Sequence, residues 1–343
     1  MTILLVLVIA FALIFDYING FHDTANAIAT VVSTRVLTPL MAIAMAACLN
    51  FVGALVATNV AKTIATGILS SPSFATETTV LAAILGAIVW NLITWRAGIP
   101  SSSSHALIGG LIGAALVHGF TLASRLPHGP TSIVDWSGIL NKVIYPLIAS
   151  PIAGALIGYG VMWLIQVIFA NLHPRNAGLA FRRLQLVSSA AMAFSHGQND
   201  AQKSMGIITL ALMTHGIVAQ QKNPHIPMWV IVCCATAMGL GTSAGGWRII
   251  RTMGHKIIRL EPVNGFAAET SGAAVILTAS HFGMPVSTTH CIAGSIFGVG
   301  AAKRLSAVRW QVAINMVVAW IVTIPAAALF GGLAYEIARL FSR

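Results

Sequence analysis

Two polar phrases occur twice, in the same order, in a chain that is otherwise almost wholly apolar. Asn19-Gly20-Phe21-His22-Asp23-Thr24-Ala25-Asn26 returns in altered form as Ser195-His196-Gly197-Gln198-Asn199-Asp200-Ala201-Gln202-Lys203. Gly98-Ile99-Pro100-Ser101-Ser102-Ser103-Ser104-His105 returns as Gly283-Met284-Pro285-Val286-Ser287-Thr288-Thr289-His290. Asp23 and Asp200 stand 177 positions apart, and Gly98 and Gly283 stand 185 apart. Such a chain reads as two copies of one unit. Paired polar interruptions at corresponding places in two hydrophobic halves point to a secondary transporter with its site at the repeat interface.

Only 8% of the 343 residues are charged and 57% are hydrophobic, whereas an ordinary soluble domain carries roughly 25% charged residues. That leaves too little charge to cover a soluble surface. Apolar runs at 39–57, 79–95, 143–165, 228–247, 263–281 and 311–334 are each near the ~20 residues that cross a bilayer. Residues 2–15 lack a basic leader and a small-residue cleavage site, so they read as a first membrane helix. The 19 Lys and Arg against 8 Asp and Glu could suggest nucleic acid. They lie scattered in short loops and form no stripe, which excludes nucleic acid and leaves them to set orientation. Cys48, Cys233, Cys234 and Cys291 sit in apolar runs without metal-ligand spacing and read as packing residues.

The sequence predicts an all-α polytopic membrane protein with inverted-topology repeats, broken helices and two helical hairpins. The first repeat spans 1–172, as a broken helix 2–34, a helix 39–61, a hairpin 79–120 and a helix 143–170. A cytoplasmic linker follows at 173–183. The second repeat spans 184–343, as a broken helix 184–218, a helix 227–247, a hairpin 263–302 and a helix 311–335. Each half makes three net crossings, and an odd number inverts the second half against the first. With the linker inside, eleven bases fall in the cytoplasm: Arg35, Arg175, Arg182, Arg183, Arg248, Arg251, Lys256, Arg259, Lys303, Arg304 and Arg309. Six fall outside: Lys62, Arg125, Lys142, Lys222, Arg339 and Arg343. The excess favours a cell membrane protein (plasma or inner) with both termini outside.

Asn19-Gly20 and His196-Gly197 interrupt helical periodicity in mid-span, because Gly costs about 1 kcal/mol against Ala inside a helix. Asp23 and Asp200 follow by three residues, and an acid at mid-bilayer costs at least ~2.5 kcal/mol unless it has a partner or a task. A helix-capping role is the bland reading for either acid alone; the pairing argues against it. At the hairpins, Pro100 and Pro285 stop the first arm, and seven hydroxyls open the second. Two of these can be ordinary N-caps. The others, with the free N–H groups of two helix N-termini, would surround a small anion with donors. His105 and His290 close the tips, either as ordinary buried histidines or as titrating groups. Arg96 reads equally as a snorkelling side chain. Glu269 is a further intramembrane acid, expected to join the Asp23/Asp200 centre and a cation. Gly109/Gly113, Gly154/Gly158 and Gly294/Gly298 read as helix-packing pairs. No Walker loop, zinc motif or nucleophile elbow occurs, which argues against an enzyme.

Taken together, these motifs resemble the inorganic phosphate transporter (PiT) family, and within it the bacterial low-affinity Pit branch. The resemblance covers essentially the whole chain. It implies an inverted-repeat carrier that imports inorganic phosphate by cation symport. By resemblance, Ser102, Ser103, Ser104, Ser287, Thr288 and Thr289 fall on phosphate-contacting tips, with Asn26 and Asn199 beside them. Asp23, Asp200 and Glu269 fall on the coupling and gating centre, where His22, Lys203, His105 and His290 join them. His22 and Lys203 stand where the sodium-coupled branch carries Asn, which favours protons over sodium. Glu269 looks sodium-type and keeps Na+ at Asp23, Asn26 and Glu269 as the alternative. No cofactor and no resident metal are implied, a divalent metal entering only as part of a metal–phosphate substrate; a homo-oligomer stays open. A sulfate permease on the same scaffold and an anion channel with re-entrant hairpins are the competing readings.

Overall fold

Long apolar runs punctuated by Ser, Thr, Pro and Gly can satisfy their backbone in a bilayer only as helices, and helices are what form. The computed structural model describes residues 2–71, 74–123, 129–171, 174–221 and 223–341, with the backbone alone at 174, 175 and 341. Its first half holds α1 (Ile3–Ser33), α2 (Pro39–Ala54), α3 (Asn59–Thr66), α4 (Glu77–Ala97), α5 (Ser103–Thr121) and α6 (Trp136–Ile168). The second holds α7 (Pro174–Thr214), α8 (Met228–Ala244), α9 (Trp247–Lys256), α10 (Pro262–His281), α11 (Thr288–Lys303) and α12 (Trp310–Phe341). Five of these helices are long and apolar enough to cross a membrane, and seven spans result if each bent pair counts as one. The protein is a multi-pass membrane protein.

The starts and stops follow from local chemistry. Thr2, Thr38 and Thr76 cap α1, α2 and α4 by accepting the N–H of Leu5, Met41 and Thr79. Both hairpin arms end in the same way. Gly98 and Gly283 each adopt φ +66°, a left-handed conformation that L side chains resist. The N–H groups of Ile99 and Met284 then reach back to the carbonyls of Thr94 and Ala279, at 2.9 Å in both copies. Glycine stops the arm, and Pro100 and Pro285 follow two residues later.

Two expectations about the long helices are corrected. Helices 2–34 and 184–218 are not broken: α1 runs unbroken for 31 residues and α7 for 41. The breaks lie instead in the neighbours expected to be whole. α2 and α3 are bent by 66° across 55–58, and α8 and α9 by 61° across 245–246. Gly20 and Gly197 serve close helix crossing: a Cβ on Gly20 would stand 2.6 Å from the Met238 carbonyl, and one on Gly197 would meet the Asn50 backbone. The linker 173–183 is the second correction, since α7 already begins at Pro174, a residue well suited to a first helical turn. His173, Arg125, Lys222, Arg343 and the side chain of Arg175, all used to place linker and orientation, lie outside the described residues.

The halves interlock. α5 lies against α12, and α11 lies against α6, so each hairpin's second arm packs on the other half's closing helix. The small-residue pairs make this approach close: a Cβ on Gly109 would stand 2.5 Å from the Ile324 carbonyl, and one on Gly154 2.6 Å from that of Cys291. The outer faces of α6 and α12 carry exposed Ile148, Ile152, Leu156, Trp163, Ile314, Ile321 and Leu329. Apolar stripes of this kind suit lipid rather than water. Glu77 is partly covered at the start of α4, where it pairs with His215 and accepts from Thr2 at 2.6 Å. Cys234 and Cys291 are buried and all four cysteines are free.

Candidate functional site at the meeting of the hairpin tips

The two tips touch. Ser104 donates to the Val286 carbonyl at 3.2 Å, and Thr289, its counterpart, donates to the Ser101 carbonyl at 3.0 Å. The rings of His105 and His290 stack 5.1 Å apart, and His290 also stacks on Trp320 at 4.0 Å. Ser102 and Ser287 are the two capping hydroxyls, each accepting the N–H three residues on, from His105 and His290, at 3.3 Å. These caps hold the N-termini of α5 and α11 at the centre of the protein. The first-turn N–H groups there have no intrahelical acceptor.

Around the tips, the duplicated Asp motifs form one connected set of buried side chains. Asp23 accepts from Ser103 at 2.7 Å, while Asp200 accepts from Thr288, the equivalent residue, at 3.3 Å. Three residues further along each helix the contact crosses to the opposite tip. Asn26 donates to Thr288 at 3.3 Å and to Thr289 at 2.9 Å. Lys203 donates to Ser103 at 3.0 Å, and its Nζ lies 2.9 Å from Asp200 Oδ1. Exchanging the halves therefore maps the contacts onto one another, with Asn26 and Lys203 as the pair that differs in charge.

The set extends sideways. His22 Nδ1 lies 2.7 Å from Asp23 Oδ1, and its Nε2 lies 3.0 Å from the Thr94 hydroxyl, to which Ser101 donates at 2.9 Å. His196 Nε2 lies 3.3 Å from Asp200 Oδ2, and its Nδ1 lies 3.2 Å from Asn50 Oδ1. Asn199 donates to Ser280 at 2.8 Å on the first arm of its own half's hairpin. All these residues are buried. Asp23, His196 and Asp200 offer ligand atoms within 4.8 Å of one another, a spacing a metal ion could bridge. The Lys203 ammonium presses on the same Asp200 carboxylate, so this donor set already faces a cation and no resident metal is assigned.

Most predicted residues converge here, and two do not. Glu269 lies apart, accepting from Thr30 at 2.6 Å, Gln185 at 3.0 Å and Ser188 at 2.5 Å. Thr30 is seven residues beyond Asp23 on α1, or about 10 Å along the axis. Glu269 is thus engaged further along α1 than Asp23, and among the described residues it makes no hydrogen bond with Asp23, Asn26 or Asp200. Arg96 is exposed, and its carbonyl accepts from Arg248 at 2.5 Å. Sequence reasoning missed Asn50, Thr94, Gln185 and Ser188. It also missed Asp16, a fully buried acid two helical turns before Asp23. That i, i+7 spacing puts both acids on one face of α1, and was the available signal.

A membrane-spanning helical protein with a buried charged centre, assembled from two like halves, is by architecture a transporter. The profile of the phosphate transporter family matches the chain twice, over residues 19–179 and 170–331, one match to each half. A probable low-affinity inorganic phosphate transporter of Bacillus subtilis (strain 168) is 47% identical over 340 residues, covering 98% of both chains. Its counterpart in Rhizobium meliloti (strain 1021) is 48% identical over 338 residues, covering 98% of this chain and 97% of that one. Among solved structures, one described as the sodium-dependent phosphate transporter superposes with a TM-score of 0.88 at 25% identity, covering 99% of this chain and 100% of the other. The chain belongs to the phosphate transporter family, a family of carriers and not of enzymes.

Proposed function

We propose that this protein imports inorganic phosphate across the cell membrane by proton symport, with the phosphate held between the two hairpin tips. The family and its named relatives support phosphate as the cargo. The tips support the position: two helix N-termini and the hydroxyls of Ser103, Ser104, Thr288 and Thr289 meet there. Carboxylates beside them favour hydrogen phosphate over sulfate, since hydrogen phosphate has an O–H to donate to Asp23 or Asp200. The two halves are inverted in this reading, with both termini outside, and the breaks at 55–58 and 245–246 serve as hinges.

The observation that carries the coupling is Lys203. Its ammonium fills the oxygen cluster of Asp200 and Ser103, which a sodium ion would need for itself. Free hydrogen phosphate is the assigned substrate, because that fixed cation also takes the position a phosphate-borne metal would favour. The test is uptake of labelled phosphate into proteoliposomes, with pH and Na+ gradients imposed separately, with and without Mg2+, and with excess sulfate. Uptake that follows the pH gradient without Na+, needs no Mg2+ and resists sulfate is expected. Dependence on Na+ at constant pH refutes the coupling, dependence on Mg2+ refutes the free anion, and competition by sulfate refutes the selectivity.

A further inference from the structure

Three acids line one face of α1 at nearly equal intervals: Asp16, Asp23, and Glu269 held by Thr30. Seven residues separate each α1 position from the next, about 10 Å along the helix. Asp23 receives Ser103 and His22, and Glu269 receives three donors. Asp16 differs from both. It is fully buried, and among the described residues no donor meets hydrogen-bond geometry at either carboxylate oxygen. Asn19 on α1 and Ser204 on α7 are buried beside it, and their side-chain polar atoms have no other partner among the described residues, so both are free to turn toward the carboxyl.

A buried ionised carboxylate without donors is among the most expensive groups a protein can hold. The charged and titratable groups facing it are Lys203 and Asp200 on α7 and Cys234 on α8. Lys203 is already committed to Asp200 and Ser103, so it does not pair with Asp16. The central region thus holds three carboxylates against one fixed ammonium, and an entering phosphate adds more negative charge. A proton on one carboxylate lowers that burden, and Asp16 is the one of the three that no donor engages at hydrogen-bond geometry among the described residues.

We propose that Asp16 is the binding site of the transported proton, on the N-terminal side of the phosphate site. The inference rests on the proton-symport reading above. Asp16 takes one proton from the side to which α1 begins, and returns it on the other side after the phosphate has crossed. Asn19 and Ser204 orient the carboxyl, and Lys203 couples its charge state to Asp200.

The experiment uses the full chain in proteoliposomes and compares two modes of labelled phosphate movement. One is net uptake driven by an inward pH gradient; the other is phosphate–phosphate exchange at equal pH, which needs no net proton movement. Asp16→Asn is expected to lose gradient-driven uptake and keep exchange, and Asp16→Glu to recover part of the driven uptake. Undiminished driven uptake by Asp16→Asn while the wild type follows pH overturns the proposal and leaves proton symport standing. Loss of both modes, with lowered melting, overturns it in favour of a packing role. A wild type driven by Na+ alone removes proton symport itself and this inference with it.

Discussion

Replacing Lys203 with Met keeps the length of the side chain and removes its charge, which isolates the ion pair from the packing. Lys203 and Asp200 are both essentially inaccessible, 1% and 0% exposed, with Nζ 2.9 Å from Oδ1. At an effective dielectric near 20 that separation corresponds to about 6 kcal/mol of attraction, most of it offset by desolvation of both ions. Taking away one partner does not recover the desolvation, so the loss is about 3–5 kcal/mol. Spread over the unfolding entropy of 343 residues, that corresponds to a melting temperature lower by about 4–7 °C. Lys203→Met/Asp200→Asn removes both charges, so it should recover at least half of the loss. The assay is thermal melting of the purified protein in detergent, read as a double-mutant cycle. Unchanged melting in Lys203→Met, or no recovery in the double variant, would refute the claim that these two charges support each other.

Other expectations follow from the same contacts. Lys203→Asn puts the residue type of Asn26 into the second half and frees the Asp200 and Ser103 oxygens, so phosphate uptake should gain a Na+ dependence, measured in a Na+ titration at constant pH. Ser102→Ala and Ser287→Ala remove helix caps and should each lower stability by about 1 kcal/mol with phosphate affinity unchanged, whereas Ser103→Ala should weaken phosphate binding, read by calorimetry beside melting. Gly20→Ala forces a methyl to within 2.6 Å of the Met238 carbonyl and should cost about 1–3 kcal/mol. Gly160→Ala enters open space and should be neutral, so size-exclusion profiles of the two expressed variants should differ.

What was legible in the sequence was whatever the duplication wrote twice. The hairpins at 79–120 and 263–302 could be read because Gly98 and Gly283 each precede Pro and a hydroxyl run, and both tips do meet. Asp23 and Asp200 stood out for the same reason. The breaks were misplaced because glycine inside an apolar span has two causes that look alike in one dimension. At Gly20 and Gly197 the cause is a neighbouring helix, and only the fold supplies the Met238 and Asn50 backbones that press there. Glu269 was joined to the wrong partners because Thr30, Gln185 and Ser188 are ordinary polar residues far away in the chain. Asp16 escaped because a single acid in an apolar helix has no second copy to draw the eye.

The reciprocal clasp of the tips has a consequence for how the two copies can change. Here Ser104 holds the backbone at Val286, and Thr289 holds the backbone at Ser101. A shift of one residue in either loop would throw both bonds out of register at once. Neither half therefore has a spare, and a change at one tip has to be answered in the other. Divergence is left to positions that reach across without holding backbone, and Asn26 and Lys203 are such a pair. On the proton-symport reading, a change of driving ion can then begin as a single substitution at one of them, with both bonds of the clasp kept.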